Sequence, residues 1–142
     1  MNRKTWYILA VIFVIVLAGA GLSLMWVFKK APDSVGSQKA DFKLTISTLV
    51  SDFENNEAAA DKKYPGKIIQ VKGPVSQITS DSTGISLYLK EKDQMSGVIC
   101  NFASEEIDTT KIHKEDTVVV KGICSGYLMD VVLNKCVMVK KE

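Results

Sequence analysis

Residues 67–90 read KIIQVKGPVSQITSDSTGISLYLK, and this stretch decides what kind of fold the chain adopts. Its apolar side chains fall on alternate positions, first at Ile69, Val71 and Val75 and then at Ile85, Leu87 and Leu89. A period of two is typical of strands with one buried face, and the polar run 80–84 predicts a turn between them. The stretch therefore predicts two neighbouring β-strands.

Three further strands follow these two. Residues 98–102 alternate in the same way, and the segments 117–124 and 130–139 are rich in β-branched side chains. The polar segment 104–116 joins the third strand to the fourth and has room for one helical turn. Three meander strands, a connector and two more strands form the order of a small five-stranded Greek-key barrel.

A helix is predicted before the strands. Apolar side chains recur there at three- and four-residue spacing, at Phe42, Ile46, Leu49, Val50 and Phe53. The spacing predicts an amphipathic helix of about five turns over residues 40–62. Tyr64-Pro65-Gly66 ends it, because a proline disfavours helical geometry in the residue before it. We expect the apolar stripe to pack on the barrel.

The N-terminal part contains an uncharged run, residues 5–28. As a helix this run would be about 36 Å long, enough to cross a hydrocarbon core of about 30 Å. We therefore expect a transmembrane anchor over residues 1–30, a polar linker over 31–39, and a helix-plus-barrel domain over 40–142. Basic residues before the run weakly favour an inside N-terminus. This predicts a single-pass bacterial inner-membrane protein with a periplasmic domain.

Two alternatives remain open for this segment. Ala18-Gly19-Ala20 has the small residues of a signal-peptide cleavage site, although the apolar run continues beyond it. Gly19 and Ser23 form one small-xxx-small pair, which could support a dimer through the membrane helix. The other interpretation is that small residues are common in any membrane helix.

The charges divide unevenly along the chain. Four of the 18 basic residues lie within residues 1–30, whereas all 16 acidic residues lie beyond them. The predicted domain thus carries a net charge of −2, against +2 for the whole chain. A basic isoelectric point that comes from the anchor gives no support for nucleic-acid binding.

The chain contains three cysteines, Cys100, Cys124 and Cys136, and all lie in apolar, strand-like segments of the sequence. An odd number in an exported domain allows one disulfide at most, and small buried core residues are the other interpretation. The single histidine, His113, lies in a polar stretch, and no short Cys-x-x-Cys pair is present. We expect neither a metal site nor a cofactor.

Two segments resemble each other: Val71-Lys72-Gly73-Pro74-Val75 and Val120-Lys121-Gly122-Ile123-Cys124. A glycine inside a strand usually marks a bulge or a sharp bend, and a small barrel needs both in order to close. We therefore expect Gly73 and Gly122 to serve the bends of the barrel.

Helix and barrel together resemble the tRNA_anti-like family, anticodon-binding-like OB-fold proteins that include small exported or membrane-attached bacterial domains. The matching residues are Asn56, Ala59, Lys63, Tyr64, Gly66, Lys67, Gly73, Val98-x-Cys100-x-Phe102, Gly122-x-Cys124-x-Gly126 and Asp130-Val131-Val132-Leu133-x-x-Cys136. The resemblance covers about residues 40–140 and implies an OB barrel without an assigned chemical role. Strands three and five are neighbours in such a barrel, so Cys100 and Cys136 are the pair most easily bridged if a disulfide forms.

The binding groove of an OB barrel runs along strands two and three and is rimmed by two hairpin loops. On that face we expect Tyr88, Lys90, Gln94 and Asn101, and on the rim residues 80–83 and 127–129. Tyr127, Leu128 and Met129 are large apolar residues at an expected turn. They form a contact site if exposed, or fold back over the barrel end or the helix. The predicted ligand is a protein, a peptide or a glycan.

Other functions are less well supported. Single-stranded nucleic acid needs a basic groove with several aromatic side chains, and only Tyr88 is placed for stacking. The haem chaperone of cytochrome c maturation is also an anchored OB barrel, but the late haem-attaching motif of that family is missing around His113. Catalysis is not expected, because the sequence pairs no nucleophile with the histidine. Glu105 and Glu106 are interpreted as solvated charges.

Overall fold

The computed structural model describes Trp6, Tyr7, Ile12, Phe13 and residues 34–142. Residues 34–142 form a compact unit. The rest of the predicted anchor lies outside the described residues, as do the Ala18-Gly19-Ala20 sequence and the Gly19–Ser23 pair. No helix among the described residues has the length and apolar character needed to cross a membrane.

The elements of this unit are, in chain order, β1 (Phe42–Thr45), α1 (Ile46–Asn55), α2 (Glu57–Lys63), β2 (Ile68–Asp81), β3 (Gly84–Leu89), β4 (Val98–Phe102), β5 (Thr117–Leu128) and β6 (Asp130–Lys141). Two single-turn 3₁₀ helices, Ser104–Glu106 and Thr109–Lys111, lie in the connector between β4 and β5.

Strands β2 to β6 form the predicted closed barrel. Strand β2 pairs antiparallel with β3 and, through its first half, with β5. Strand β3 pairs antiparallel with β4, and β4 pairs parallel with β6. The antiparallel pair of β5 and β6 completes the circuit. This order of strands is consistent with an OB fold.

The prediction of one helix over residues 40–62 is wrong. Its first part is strand β1, which pairs parallel with β2, and the remainder is two helices. Thr45 caps the first, because its hydroxyl accepts a hydrogen bond from the Thr48 N–H at 3.2 Å. Asn56 caps the second by accepting from the Ala59 N–H at 3.1 Å, with an extended backbone that interrupts the helix.

The apolar stripe of α1 nevertheless packs on the barrel as predicted. Ile46, Leu49, Val50 and Phe53 are all buried in the core. Each such side chain contributes about 1.5–3 kcal/mol when it is fully removed from water. The helix therefore closes one part of the hydrophobic core.

The two strand glycines are required mainly by close packing. A Cβ atom on Gly73 would lie 2.5 Å from the Ile46 side chain of α1, and β2 is regular at this position. The bend of β2 comes after it, between Val75 and Gln77. The bend prediction is therefore wrong for Gly73. It holds for Gly122, where the pairing of β5 with β6 is irregular and a Cβ would lie 2.6 Å from Cys136 Sγ.

All three cysteines are buried free thiols in this structure. Cys100 on β4 and Cys136 on β6 are neighbours, and the interaction with Cys136 together with burial raises the pKa of the Cys100 thiol. Cys136 Sγ donates to the Leu133 carbonyl oxygen at 3.4 Å. Cys124 pairs across the hairpin with Leu133, because β5 continues to Leu128 and its pairing with β6 is bulged. The Cys100–Cys136 disulfide stays a prediction.

The described part of the predicted linker lies against the domain. Val35 is buried, and the Lys121 ammonium group donates to the carbonyl oxygens of Gly36 and Gln38 at 3.0 and 2.9 Å. A single apolar side chain thus fixes a segment whose composition is otherwise polar.

Candidate ligand-binding face

The outer face of β3 and β4 is built by strict alternation. Leu87, Leu89 and Cys100 point into the core and are fully buried. Ser86 and Tyr88 of β3 therefore point outward, next to Asn101 and Ile99 of β4, with which they pair directly. All four are half-buried. Tyr88 and Asn101 are thus brought together as predicted.

Tyr88 is held in place by Asp130, the first residue of β6. Its hydroxyl donates to Asp130 Oδ1 at 2.8 Å, and the Gly97 N–H donates to the same oxygen at 2.7 Å. Burial, followed by this hydrogen bond and the carboxylate charge, raises the pKa of Tyr88 to about 12. The phenol therefore stays protonated at physiological pH.

A shallow groove of about 410 Å³ runs beside the Tyr88 ring. It is lined by Gln77, Thr79, Ser86, Tyr88, Ile99 and Asp130. A ring face and an apolar floor at Ile99 are thus surrounded by hydroxyl, amide and carboxylate groups.

Four polar side chains extend from this groove across the neighbouring strands, and we call them the polar ladder: Ser86, Asn101, Asn134 and Ser125. Ser86 Oγ donates to Asn101 Oδ1 at 2.7 Å. Asn101 Nδ2 donates to Asn134 Oδ1 at 2.8 Å, and Asn134 Nδ2 donates to Ser125 Oγ at 2.6 Å. Every bond runs in the same direction, across β3, β4, β6 and β5.

Charge is sparse on this face. Among the described residues that form the groove and the polar ladder, Asp130 is the only charged one. The face can therefore offer neutral donors and acceptors and one aromatic ring, but no cation.

Lys90 lies elsewhere, so the structure does not place it with Tyr88. Strand β3 ends at Leu89, and Lys90 lines a cleft of about 900 Å³ together with Lys72, Lys92 and Lys114. The acidic residues of this cleft are Glu91, Asp93 and Glu115, and its described lining contains no aromatic side chain. Gln94, also predicted on the face, lies beyond β3 in the loop, with its Oε1 atom buried and without a partner.

The predicted rim divides into two environments. Of residues 80–83, the first two end β2 and the other two form a tight turn, in which Asp81 Oδ1 accepts from the N–H groups of Thr83 and Gly84. Tyr127 folds back and stacks on Phe53 of α1, with ring centroids 5.3 Å apart. Leu128 and Met129 project from the β5–β6 hairpin and are 87% and 83% exposed.

Comparison with known proteins assigns this fold. The tRNA_anti-like family matches residues 1–138. The chain belongs to this family. A candidate nucleic acid-binding lipoprotein from Klebsiella pneumoniae has a similar crystal structure, with 18% identity, a TM-score of 0.62, and coverage of 78% of this chain and 98% of that one. At this identity the likeness shows the fold alone.

Weaker structural likenesses involve proteins of different kinds. The hypothetical protein YgiW from E. coli is 11% identical, with a TM-score of 0.44 over 75% of this chain and 90% of that one. Asparaginyl-tRNA synthetase from Pyrococcus horikoshii is 17% identical, with a TM-score of 0.41 over 56% of this chain and 19% of that one. No curated protein matches this sequence.

Several residues of the outer face of β3 and β4 were not predicted from the sequence. Asn134, Ser125 and Asp130 come from β5 and β6, and only the parallel pairing of β4 with β6 brings them to β3. Ser86 carried a usable signal, because it alternates with Leu87 on the same strand as Tyr88. The others required the register of four strands to be known.

The titratable groups elsewhere do not form a metal centre in the described part of the chain, where no group of three His, Cys, Asp or Glu side chains converges. His113 is exposed, with Nδ1 3.6 Å from Asp116 Oδ2. The Lys141 ammonium group and the His113 N–H both bond to Asp116 and hold its pKa below the usual value. This cluster fastens the connector to β6.

Proposed function

We propose that this protein is a membrane-attached, non-catalytic OB domain that binds an uncharged glycan of the cell envelope on the outer face of β3 and β4. The observation that carries the proposal is the polar ladder beside Tyr88, on a face whose described residues include no cation. Membrane attachment rests on the uncharged run 5–28, and a periplasmic location on the charges that flank it.

The polar ladder has unused hydrogen-bonding capacity. A side-chain amide has two N–H groups and a carbonyl oxygen with two lone pairs, and each ladder bond uses one of these. Asn101 and Asn134 therefore retain donors and acceptors for a ligand, while the ladder itself fixes their orientation. An ordered row of this kind suits the hydroxyl and acetamido groups of a sugar, and the Tyr88 ring supplies an apolar surface for its C–H face.

Side chains must carry this recognition, because the backbone is already paired. Both edges of β3 are occupied, by β2 and β4, and β4 lies between β3 and β6. A peptide that binds by strand addition needs an open strand edge. The closed barrel therefore favours a glycan over an extended peptide at this face.

Single-stranded nucleic acid is the second candidate, favoured by the four lysines of the Lys90 cleft. The Klebsiella pneumoniae lipoprotein of similar fold is also named as a candidate nucleic acid binder. However, the lysines and the Tyr88 ring lie in different places, whereas such sites combine a basic groove with stacking aromatics. Lys72 and Lys92 are in addition paired, with Glu142 and Glu115.

Binding of two probes to the full chain in nanodiscs tests these functions. We expect chitotetraose, an uncharged N-acetylglucosamine oligomer, to bind, and Asn101→Ala to weaken it about tenfold through lost hydrogen bonds. Glu105→Gln, exposed on the connector, is the matched control and should bind like the parent. A decathymidylate that binds more tightly than the glycan, with an affinity that falls steeply with salt and with Lys90→Ala, would replace the first proposal by the second.

A further inference from the structure

A second surface lies at one end of the barrel, beside the Ser125 end of the polar ladder. It consists of Met95 in the β3–β4 loop and of Leu128 and Met129 at the β5–β6 hairpin, which we call the apolar tip. Their exposed fractions are 92%, 87% and 83%. Such side chains cost solubility, and a cluster of them usually marks a contact surface.

The apolar tip has a fixed base. Tyr127 stacks on Phe53, and its hydroxyl lies 3.3 Å from Ser96 Oγ. The Val131 N–H donates to the Gly97 carbonyl oxygen at 3.0 Å, so the β3–β4 loop is fastened to the hairpin. The three exposed side chains therefore project from an ordered platform, with a cleft of about 420 Å³ beside Leu128.

The backbone at Met129 gives independent support. Its φ is +67°, in the left-handed region that glycine and asparagine adopt most readily. A glycine would turn this hairpin with less strain. Keeping an exposed methionine in a strained conformation points to a use for its side chain, and methionine adapts well to varied apolar partners.

The surroundings of the apolar tip are acidic. Glu54 accepts a hydrogen bond from Ser96 at 2.8 Å, and Asp130 follows Met129 directly. Asp61 is the only charged residue among the described residues that line the cleft beside Leu128. Of the nearby basic residues, Lys63 and Lys92 are paired with Asp52 and Glu115, and Lys62 is exposed next to Asp61 in the sequence. The acidic residues Glu54, Asp61 and Asp130 outnumber it. An acidic rim disfavours an anionic membrane surface and complements a cationic partner.

We infer that the apolar tip docks a basic amphipathic helix of a partner protein, whose apolar side chains contact Met95, Leu128 and Met129 and whose lysines or arginines face Glu54, Asp61 and Asp130. Helix-in-groove recognition places apolar anchors on one helix face and leaves the other for charges. The inference does not rest on the glycan proposed for the polar ladder, although Asp130 also lines the groove beside Tyr88.

Methionine methyl NMR of the full chain in phosphatidylcholine nanodiscs tests this inference. A 14-residue amphipathic peptide of leucine and lysine should shift the methyl signals of Met95 and Met129. Met138 is an internal control, because it packs on the core away from the apolar tip. A leucine–glutamate peptide of the same pattern should shift none of them.

Two variants separate docking from folding. Met129→Gly should be at least as stable as the parent, since glycine suits the +67° φ, and should weaken the leucine–lysine peptide at least tenfold. Glu54→Gln with Asp61→Asn should weaken it as well. Equal shifts with both peptides, or unchanged affinity of Met129→Gly, would overturn the inference. Broadening of Met95 and Met129 by nitroxide-labelled lipid would also overturn it, because the occupant would then be the bilayer.

Discussion

At the residue scale, single polar contacts fix the positions of the large side chains. Tyr64 is fully buried and its hydroxyl donates to Asp52. The Lys63 ammonium group lies 4.6 Å from the centroid of the Tyr64 ring and pairs with the same carboxylate. The Tyr64 hydrogen bond is the main cause that lowers the pKa of Asp52. This cluster ties α1 to the end of α2.

The lowered pKa of Asp52 predicts a pH dependence. A carboxyl group whose pKa is lower in the folded state contributes stability above its unfolded pKa, and this contribution is lost as the pH falls through the folded value. Asp52→Asn should therefore unfold more readily than the parent at pH 7, with the difference shrinking as the pH falls through the lowered pKa of Asp52. Urea unfolding at a series of pH values measures this. Two parallel stability curves would contradict it.

The close contact at Gly73 makes a second residue-scale prediction. Gly73→Ala should lower the free energy of unfolding by about 1–3 kcal/mol, because the new methyl overlaps Ile46 in a packed core. Combining it with Ile46→Val should recover part of that loss. Gly36→Ala is the control, since its Cβ would meet only ordinary contacts at 3.6 Å or more. If the two substitutions lower the free energy of unfolding additively in the double variant, the cost of Gly73→Ala does not come from overlap with Ile46.

At the element scale, α1 holds the domain together through one face. Leu49→Asp should unfold or strongly destabilise residues 34–142, by about 3 kcal/mol or more, because it buries a charge where Leu49 is fully buried. Asn55→Asp, exposed at the end of the same helix, should change stability by less than about 0.5 kcal/mol. Thermal unfolding of both variants decides the matter. A midpoint for Leu49→Asp equal to that of the parent would contradict this packing.

The parallel pairing of β4 with β6 predicts which disulfide can form. Cys100 and Cys136 are neighbours on β4 and β6, whereas Cys124 lies on β5. Under oxidising conditions peptide mapping without reductant should therefore yield the Cys100–Cys136 linkage, if any, with Cys124 free. Recovery of a linkage that contains Cys124 from folded protein would show that this register is wrong.

Local patterns predicted the elements better than their ends. The alternation in residues 67–90 predicted β2 and β3 because side-chain period is a local property. The predicted helix over residues 40–62 is longer than α1 at both ends, because the periodic apolar side chains do not reveal the caps at Thr45 and Asn56. Lys90 shares the parity of Tyr88 but lies one residue beyond the end of β3, where alternation no longer applies. The polar ladder depends on the pairing of four strands, which no local pattern contains.

At the scale of the whole molecule, residues 34–142 carry three surfaces that differ in charge and polarity. The neutral polar ladder, the lysine cleft and the apolar tip are formed by different residues. This separation distinguishes the proposed glycan site from a nucleic-acid site, in which cations and aromatic rings share one groove.

The most direct test of the central claim is a map of chitotetraose-induced amide and side-chain shifts on the isotope-labelled full chain in nanodiscs. We predict that the largest shifts fall on Ser86, Tyr88, Asn101 and Asn134, including the side-chain NH₂ signals of both asparagines. The residues of the Lys90 cleft and the apolar tip should remain unchanged, as should the affinity between 50 and 500 mM salt, since about 0.5 M salt screens only charged contacts. Shifts centred on the Lys90 cleft, or no shifts at millimolar glycan, would contradict the account.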